Sequence, residues 1–340
     1  MLGKYENIAI KGIVSVVPEQ IEENDAYVEL LGEKRVRKQT RMTGVERRHI
    51  NKWEQMTSDF CITASKKLLD KLQWKPEEIK VLVLVTQNPS LEMPSTAFIV
   101  QKYLGIPDDC MVFDVNLGCS GFVSGVHIVS SLLQSYDIGG KGILLAGDIK
   151  RNIYKKKADC EDEYADQMLF GSAGTATAIE VVSEADALWF DEKTDGNRYE
   201  VISQRIHEGS VMDGEAVFQF AINDVTKYVV EFQKKISKYE KKEIDYYLFH
   251  QAQRFMLQNV AMICGIEDDK MLYSLEEYGN TSSASIPLTI CANRDAIKSR
   301  PKNCMMCCGF GIGLTCAMMQ LTVSDDIVLE IVESDETYPY

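Results

Sequence analysis

An α/β fold built from two similar halves is predicted by three observations. Short apolar strands alternate with helical patterns, and Ile79–Thr86 and Gly142–Ala146 are nearly continuous aliphatic runs of the kind that fill strands buried on both faces. Three segments recur in the same order. Gly171–Glu180 has the texture of Gly311–Gln320, Ile79–Thr86 before Gln87 resembles Ile244–Phe249 before His250, and Met93–Thr96 resembles Asn280–Pro287. Finally, 340 residues of which 45% are hydrophobic are enough to bury a large core. The boundary is expected near residues 183–200, giving halves 1–183 and 184–340.

In chain order, helices are expected near Asp59–Leu72 and Pro94–Leu104. A strand with Met111, Val112, Phe113 and Val115 ends at Asn116-Leu117-Gly118, and Cys119 follows at once. Phe122, Val123, Val126, Val129, Leu132 and Leu133 then recur at helical spacing, with Gly121 and Gly125 allowing close backbone packing. In the second half a helix is expected over Glu215–Ile236, and a strand over Tyr246–Phe249 that His250 closes. A further helix carries Phe255, Met256, Val260 and Met262. A polar turn from Asn280 to Pro287 opens another helix, and Gly309-Phe310-Gly311-Ile312-Gly313 is a glycine bend before a strand. Ile327–Val332 is expected as an extra edge strand before an acidic tail that runs to Tyr340.

The formal net charge of −14 argues against a general nucleic-acid or anionic-membrane binder, because both need a positive surface. One local exception is the cationic stretch 150–157, with Lys150, Arg151, Lys155, Lys156 and Lys157, which reads either as a solvated loop or as a contact for substrate phosphates. No apolar run is long enough to span a membrane, and no signal-type segment opens the chain, so a cytoplasmic protein is expected. Its ten cysteines are then mostly reduced thiols. Cys304, Cys307 and Cys308 lack the paired spacings of a zinc site, so no metal is expected.

Cys119 is the candidate nucleophile. Unpaired N–H groups and the dipole at a helix start favour thiolate, so a lowered thiol pKa is expected there. Of the four histidines, His250 is the best placed, at the strand-end lip where α/β proteins hold ligands; a purely structural histidine is the alternative. Asn280 reads by itself as a helix cap. The glycine bend can aim backbone N–H groups at a developing oxyanion, though such bends also occur without chemistry.

Taken together, these segments resemble the β-ketoacyl-ACP synthase III (FabH-type) condensing enzymes of the thiolase superfamily. The resemblance runs from Arg41-Met-Thr-Gly-Val-Glu-Arg-Arg-His-Ile50 to Gly313 and rests on Gly118-Cys119-Ser120-Gly121-Phe122, His250-Gln251-Ala252, Gly279-Asn280-Thr281-Ser282 and Gly309-Phe310-Gly311. It implies a thiolase-like, duplicated αβαβα five-layer fold, usually a homodimer. It further implies that Cys119 takes an acyl group from a thioester, with the N–H groups of Cys119 and Ile312 as the oxyanion hole. His250 and Asn280 would then stabilise the enolate left when a malonyl-type thioester loses carbon dioxide. Acyl-CoA and acyl carrier protein are the implied partners, as substrates, and no resident cofactor is implied.

Departures from the family fall at substrate recognition. Where its members carry a Trp and an Arg that grip coenzyme A, this chain has Lys38 and Met42, with Arg41 one residue away. Gln253 replaces an Asn, the neighbouring basic residue shifts to Arg254, a carrier-protein lysine becomes Gln219, and Met93 replaces the aromatic that floors the acyl pocket across the dimer. Met93, Arg41, Arg151, Gln253, Arg254 and Gly311 are therefore the substrate-binding candidates, and a specialised condensing enzyme is expected, of secondary metabolism or surface-polymer assembly rather than fatty acid initiation. Two other readings stand beside it: an acyltransferase that passes the acyl group to an alcohol or amine without decarboxylation, which Asn280 weighs against, and a silent partner subunit, against which Cys119 itself speaks.

Overall fold

Alternation of apolar side chains along buried strands, and the helices that cover both of their faces, produce two sheets of matching design in the computed structural model, which describes residues 2–150, 161–205 and 209–339. The first half contains β1 (Gly3–Tyr5), β2 (Ile8–Val17), α1 (Thr57–Leu72), β3 (Ile79–Val85), α2 (Ala97–Leu104), β4 (Met111–Val115), α3 (Gly121–Leu133), β5 (Lys141–Asp148) and β6 (Ala173–Val181). The second half opens with β7 (Leu188–Thr194). A helical turn at Gly214–Gln219 and a π-helical stretch at Phe220–Val225 then lead into α4 (Thr226–Ile236). The remaining elements are β8 (Tyr246–Phe249), α5 (Arg254–Cys264), α6 (Ser285–Ala292), β9 (Lys302–Gly311), β10 (Thr315–Ser324) and β11 (Val328–Glu333).

One sheet has the order β11-β2-β6-β5-β3-β4 and the other β1-β7-β10-β9-β8. Within them β2-β6-β5-β3 and β7-β10-β9-β8 are the same arrangement, two antiparallel pairings followed by a parallel one. The duplication seen in the sequence is therefore a duplication of topology. The sheets do not divide the chain at one point: β1 joins the second sheet, and β11 returns to run parallel to β2 at the edge of the first. That edge is where the sequence placed an extra strand.

One of the three sequence matches is overturned. Met93–Thr96 precedes α2, whose counterpart is α5, whereas Asn280–Pro287 leads into α6, the counterpart of α3. The turn at Asn280 thus corresponds to the turn at Cys119, and small polar residues ahead of a helix misaligned the two.

The pleat explains the unbroken apolar strands. Val81, Val83 and Val85 face a core shared with Phe122, Val126 and Val129 of α3 and Ile286 and Ile290 of α6, while Leu82 and Leu84 face Phe60 and Leu68 of α1. In the second sheet, Phe249, Met306 and Cys308 pack on Val229, Phe232, Leu257 and Val260 of α4 and α5. Five layers result: α1 and α2, a sheet, the central helices α3 and α6, a sheet, then α4 and α5. At Gly121 a methyl group would lie 2.2 Å from Val85 Cγ1, so glycine lets α3 start directly against β3. No described helix is long and apolar enough to cross a membrane.

Candidate active site

The central helix α3 packs against the 282–284 turn that leads into α6, which brings the turns before the two central helices near one another. After β4 the chain turns through residues 116–120, with the Gly121 N–H donating to the Gly118 carbonyl at 2.7 Å. Ser120 is buried, and its hydroxyl meets the Thr315 hydroxyl at 2.6 Å, tying this turn to β10. Gly309, Phe310 and Gly311 still belong to β9, so the bend proper lies at 312–314, between β9 and β10. Gly311 has φ +148°, and a methyl group on it would stand 2.9 Å from Cys119 Sγ. Only glycine lets β9 end against the thiol. Gly311→Ala is expected to cut acyl loading of Cys119 at least about tenfold while the protein stays folded, measured by intact mass beside circular dichroism.

The Ile312 N–H and the Cys119 N–H both hydrogen-bond at the thiol and favour its ionised form. Burial nevertheless dominates and pushes the Cys119 thiol up to about 12, with the Asp148 carboxylate adding to the rise. The lowered pKa expected from the helix start is therefore overturned, because the sequence shows the helix but not the enclosure. In the resting enzyme the cysteine is a thiol. Alkylation of Cys119 by iodoacetamide should accordingly rise about tenfold per pH unit from about pH 7 to about pH 9, since the thiolate fraction grows that way below the pKa. A plateau in that interval would show a thiolate already present at rest.

His250 follows β8, and its N–H donates to the Cys308 carbonyl at 2.8 Å, extending the parallel pairing by one residue. The side chain is 3% exposed, with its ring edge-on to Phe310 at 6.0 Å. Burial pulls its pKa down to about 4, partly opposed by a hydrogen bond to the Ser282 backbone, so the ring is neutral at physiological pH. Nδ1 lies 2.8 Å from the Ser285 hydroxyl, which also accepts the Gln251 N–H at 3.4 Å. The Ser285 hydroxyl and the Ser282 backbone hold the ring between them, which fixes its orientation, and the neutral ring carries one N–H. Ser285 thus orients the ring.

Asn280 is 5% exposed, and its backbone N–H donates to the Leu169 carbonyl at 2.9 Å. Its Oδ1 accepts the Ser282 N–H at 2.9 Å, which orients the carboxamide and leaves the NH₂ group to donate. The helix-cap reading holds alongside, since this bond satisfies the first N–H of the 3₁₀ turn Ser282–Ala284 that runs directly into α6.

Asp148 fastens these parts together. Its carboxylate, 4% exposed at the end of β5, accepts from Gln87 N–H at 2.8 Å, Thr86 hydroxyl at 3.2 Å, and Ser283 N–H and hydroxyl at 3.1 and 2.7 Å. Burial raises its pKa, and the hydrogen bonds from Ser283 and Gln87 oppose that rise. One buried group therefore joins the ends of β3 and β5 to the turn carrying Asn280. Sequence reasoning missed both Asp148 and Ser285. A charged residue closing the apolar run Gly142–Gly147 was a signal for the first; for the second, nothing distinguished one serine of the 282–285 block from another.

Gly311 against Cys119 and Phe310 against His250 put the thiol and the imidazole at the end of one strand, β9, and Ser282, bonded both to His250 and to Asn280, ties in the turn that carries Asn280. The expected substrate-binding residues are more scattered. Arg41 is exposed on the helix Glu33–Thr43, and Met93 is 85% exposed at the tip of a loop. Gln253 occupies the N-cap position of α5. Arg254 stacks over the Tyr273 ring at 5.0 Å and lies against Gly44, lining a cavity of about 270 Å³ with Tyr273 and Glu276. Arg151 and Lys155 to Lys157 lie outside the described residues. Among the described residues no group of three metal-ligating side chains occurs.

Two sheets of one topology around central helices, with a thiol at the turn before α3 and a buried histidine and asparagine at the turns before α5 and α6, define a thiolase-like condensing enzyme. Residues 235–323 match the family model for the C-terminal part of 3-oxoacyl-[acyl-carrier-protein] synthase III. The chain is 30% identical over 329 residues to β-ketoacyl-[acyl-carrier-protein] synthase III of Streptococcus gordonii, covering 92% of this chain and 98% of that protein. The Streptococcus mutans enzyme of the same name is 31% identical over 292 residues, 81% and 87% of the two chains. Among solved structures, a 3-oxoacyl-(acyl-carrier protein) synthase from Burkholderia xenovorans superposes with a TM-score of 0.90 at 31% identity, covering 98% of this chain and 99% of that one. The chain belongs to the β-ketoacyl-[acyl-carrier-protein] synthase III family and is a transferase whose reaction is decarboxylating condensation of thioesters.

Proposed function

We propose that Cys119 carries the acyl group in this reaction, that the N–H groups of Cys119 and Ile312 hold the oxyanion, and that His250 and Asn280 hold the enolate. The Cys119 thiol attacks an acyl thioester and displaces the carrier thiol. A malonyl-type thioester then loses carbon dioxide, and negative charge collects on its thioester oxygen. Donors that are neutral stabilise that charge without protonating the carbon, so the carbon remains free to attack the acyl-cysteine and return the thiol. The observation that carries this reading is that both donors are buried, neutral and held in place: Ser285 orients the His250 ring, and the Ser282 N–H holds Oδ1 of Asn280 so that its NH₂ is the group left to donate. A transferase that passes the acyl group to an alcohol or amine has no use for such a pair.

Pantetheine-linked thioesters, on coenzyme A or an acyl carrier protein, are the substrates, and the reaction needs no resident cofactor because the cysteine, histidine and asparagine supply every role. A homodimer fits the exposed edge of the first sheet, where β4 is the last strand, Met111 is 48% exposed, and Phe98 and Met93 are 45% and 85% exposed nearby in sequence. A reducing, cytoplasmic location fits nine free described cysteines. The loss of the family's Trp and Arg at Lys38 and Met42 supports a specialised role rather than fatty acid initiation. The test is to incubate the full chain with an acyl-CoA and malonyl-CoA or malonyl carrier protein and to follow carbon dioxide and the β-ketoacyl product. Acyl loading without either would return the non-decarboxylating transferase.

A further inference from the structure

The wall beside the nucleophile holds a polar group that this mechanism leaves unused. Gln87 stands at the end of β3, half-buried, with its backbone fixed by the 2.8 Å hydrogen bond to Asp148. Its side chain reaches the residue before the nucleophile: a methyl group on Gly118 would lie 2.4 Å from Gln87 Oε1 and 3.1 Å from Ile312 Cδ1. Ile312 also donates its N–H to Cys119 Sγ, so Gln87 and Ile312 both lie against the Gly118-Cys119 turn that carries the thiol. Among the described residues nothing hydrogen-bonds the Gln87 carboxamide, although its backbone N–H is satisfied. An amide with both donor and acceptor to offer, held against the backbone of the nucleophile's turn, is suited to the first carbons of a bound acyl group rather than to the distant carrier.

We propose that Gln87 is a specificity-determining residue that hydrogen-bonds a polar substituent, a hydroxyl, oxo or amide group, close to the thioester end of the acyl chain. The acyl substrate is then a short functionalised acyl thioester rather than a plain alkanoyl one. This deepens the acyl-Cys119 reading and rests on it. The physical argument concerns the penalty for a missing partner. A site built to hydrogen-bond a substrate group rejects the analogue lacking it by as much as about 10⁴, whereas an apolar pocket discriminates one methylene by only about 10 to 200-fold.

The test compares two isosteric thioesters, 3-hydroxybutyryl-CoA and 3-methylbutyryl-CoA, in which a hydroxyl replaces a methyl. The rate at which each loads Cys119 of the full chain is followed by intact mass, in the wild type and in Gln87→Met, which keeps the length of the side chain and removes its hydrogen bonds. The wild type is expected to load the hydroxyacyl group at least about tenfold faster, and Gln87→Met to bring the ratio to about one or invert it. Equal loading by the wild type, or a preference that survives in Gln87→Met, overturns the proposal and leaves the acyl-Cys119 reading standing. Failure of every thioester to load overturns both.

Discussion

Replacing Cys119 by alanine is expected to abolish acyl loading outright while the protein remains folded. The side chain lies in a turn whose geometry is held by other groups: the Gly121–Gly118 hydrogen bond, the Ser120–Thr315 pair, and the packing of α3 on β3. Removal of Sγ breaks none of them. No other described cysteine is an equivalent substitute. Cys307 and Cys308 are buried in strand β9, facing opposite sides of its sheet, and burial pushes both thiols upward. Cys291 and Cys304 are likewise buried and raised to about 12. Cys110 and Cys264 are partly exposed with thiols near 11, but neither has the paired N–H groups that Cys119 meets. Cys291 also meets two backbone N–H groups but is only 1% exposed, so access together with the paired N–H groups, rather than the resting thiol pKa, is what singles out Cys119 in the proposed mechanism. Incubation with a panel of acyl thioesters, followed by intact mass and peptide mapping, checks this. An acyl group mapped to another cysteine, or turnover by Cys119→Ala, would sink the assignment.

Much of this site was legible before the structure, and the parts that were not share a cause. Cys119 could be read because strand, glycine turn and helix are local patterns, and His250 because it closes an apolar strand. The edge strand β11 was legible for the same reason. The thiol pKa was misread because enclosure comes from β9 and β5, elements far from Cys119 in sequence. Asp148 meets Ser283 across 135 residues, and no periodicity reports a contact of that kind. The misplaced repeat shows the limit from the other side: turns rich in Ser, Thr and Pro precede α2 and α6 alike, so composition aligned Asn280 with Met93 when topology aligns it with Cys119.

The second large effect falls on decarboxylation. Asn280→Ala and His250→Ala are each expected to slow carbon dioxide release from a malonyl thioester by about 10² to 10³, the usual cost of removing one oxyanion donor, and to leave acyl loading much less affected. The asymmetry follows from when each charge exists. In the proposed mechanism the oxyanion of loading forms under the N–H groups of Cys119 and Ile312, whereas the enolate exists only in the second half-reaction. Both donors act while neutral, and His250 stays so down to about pH 4, so carbon dioxide release should show no inflection between about pH 5.5 and about pH 8 from this histidine. The sign is fixed by burial: a depressed histidine pKa means that falling pH, not rising pH, creates the imidazolium, and only well below the physiological range. Ser285→Ala tests the orientation of the ring separately, since it removes the hydroxyl at Nδ1 but neither donor, and it should lower carbon dioxide release while loading persists. If Asn280→Ala released carbon dioxide at the wild-type rate, the enolate would have another stabiliser, and transfer of the acyl group to an alcohol or amine would become the better account of this site.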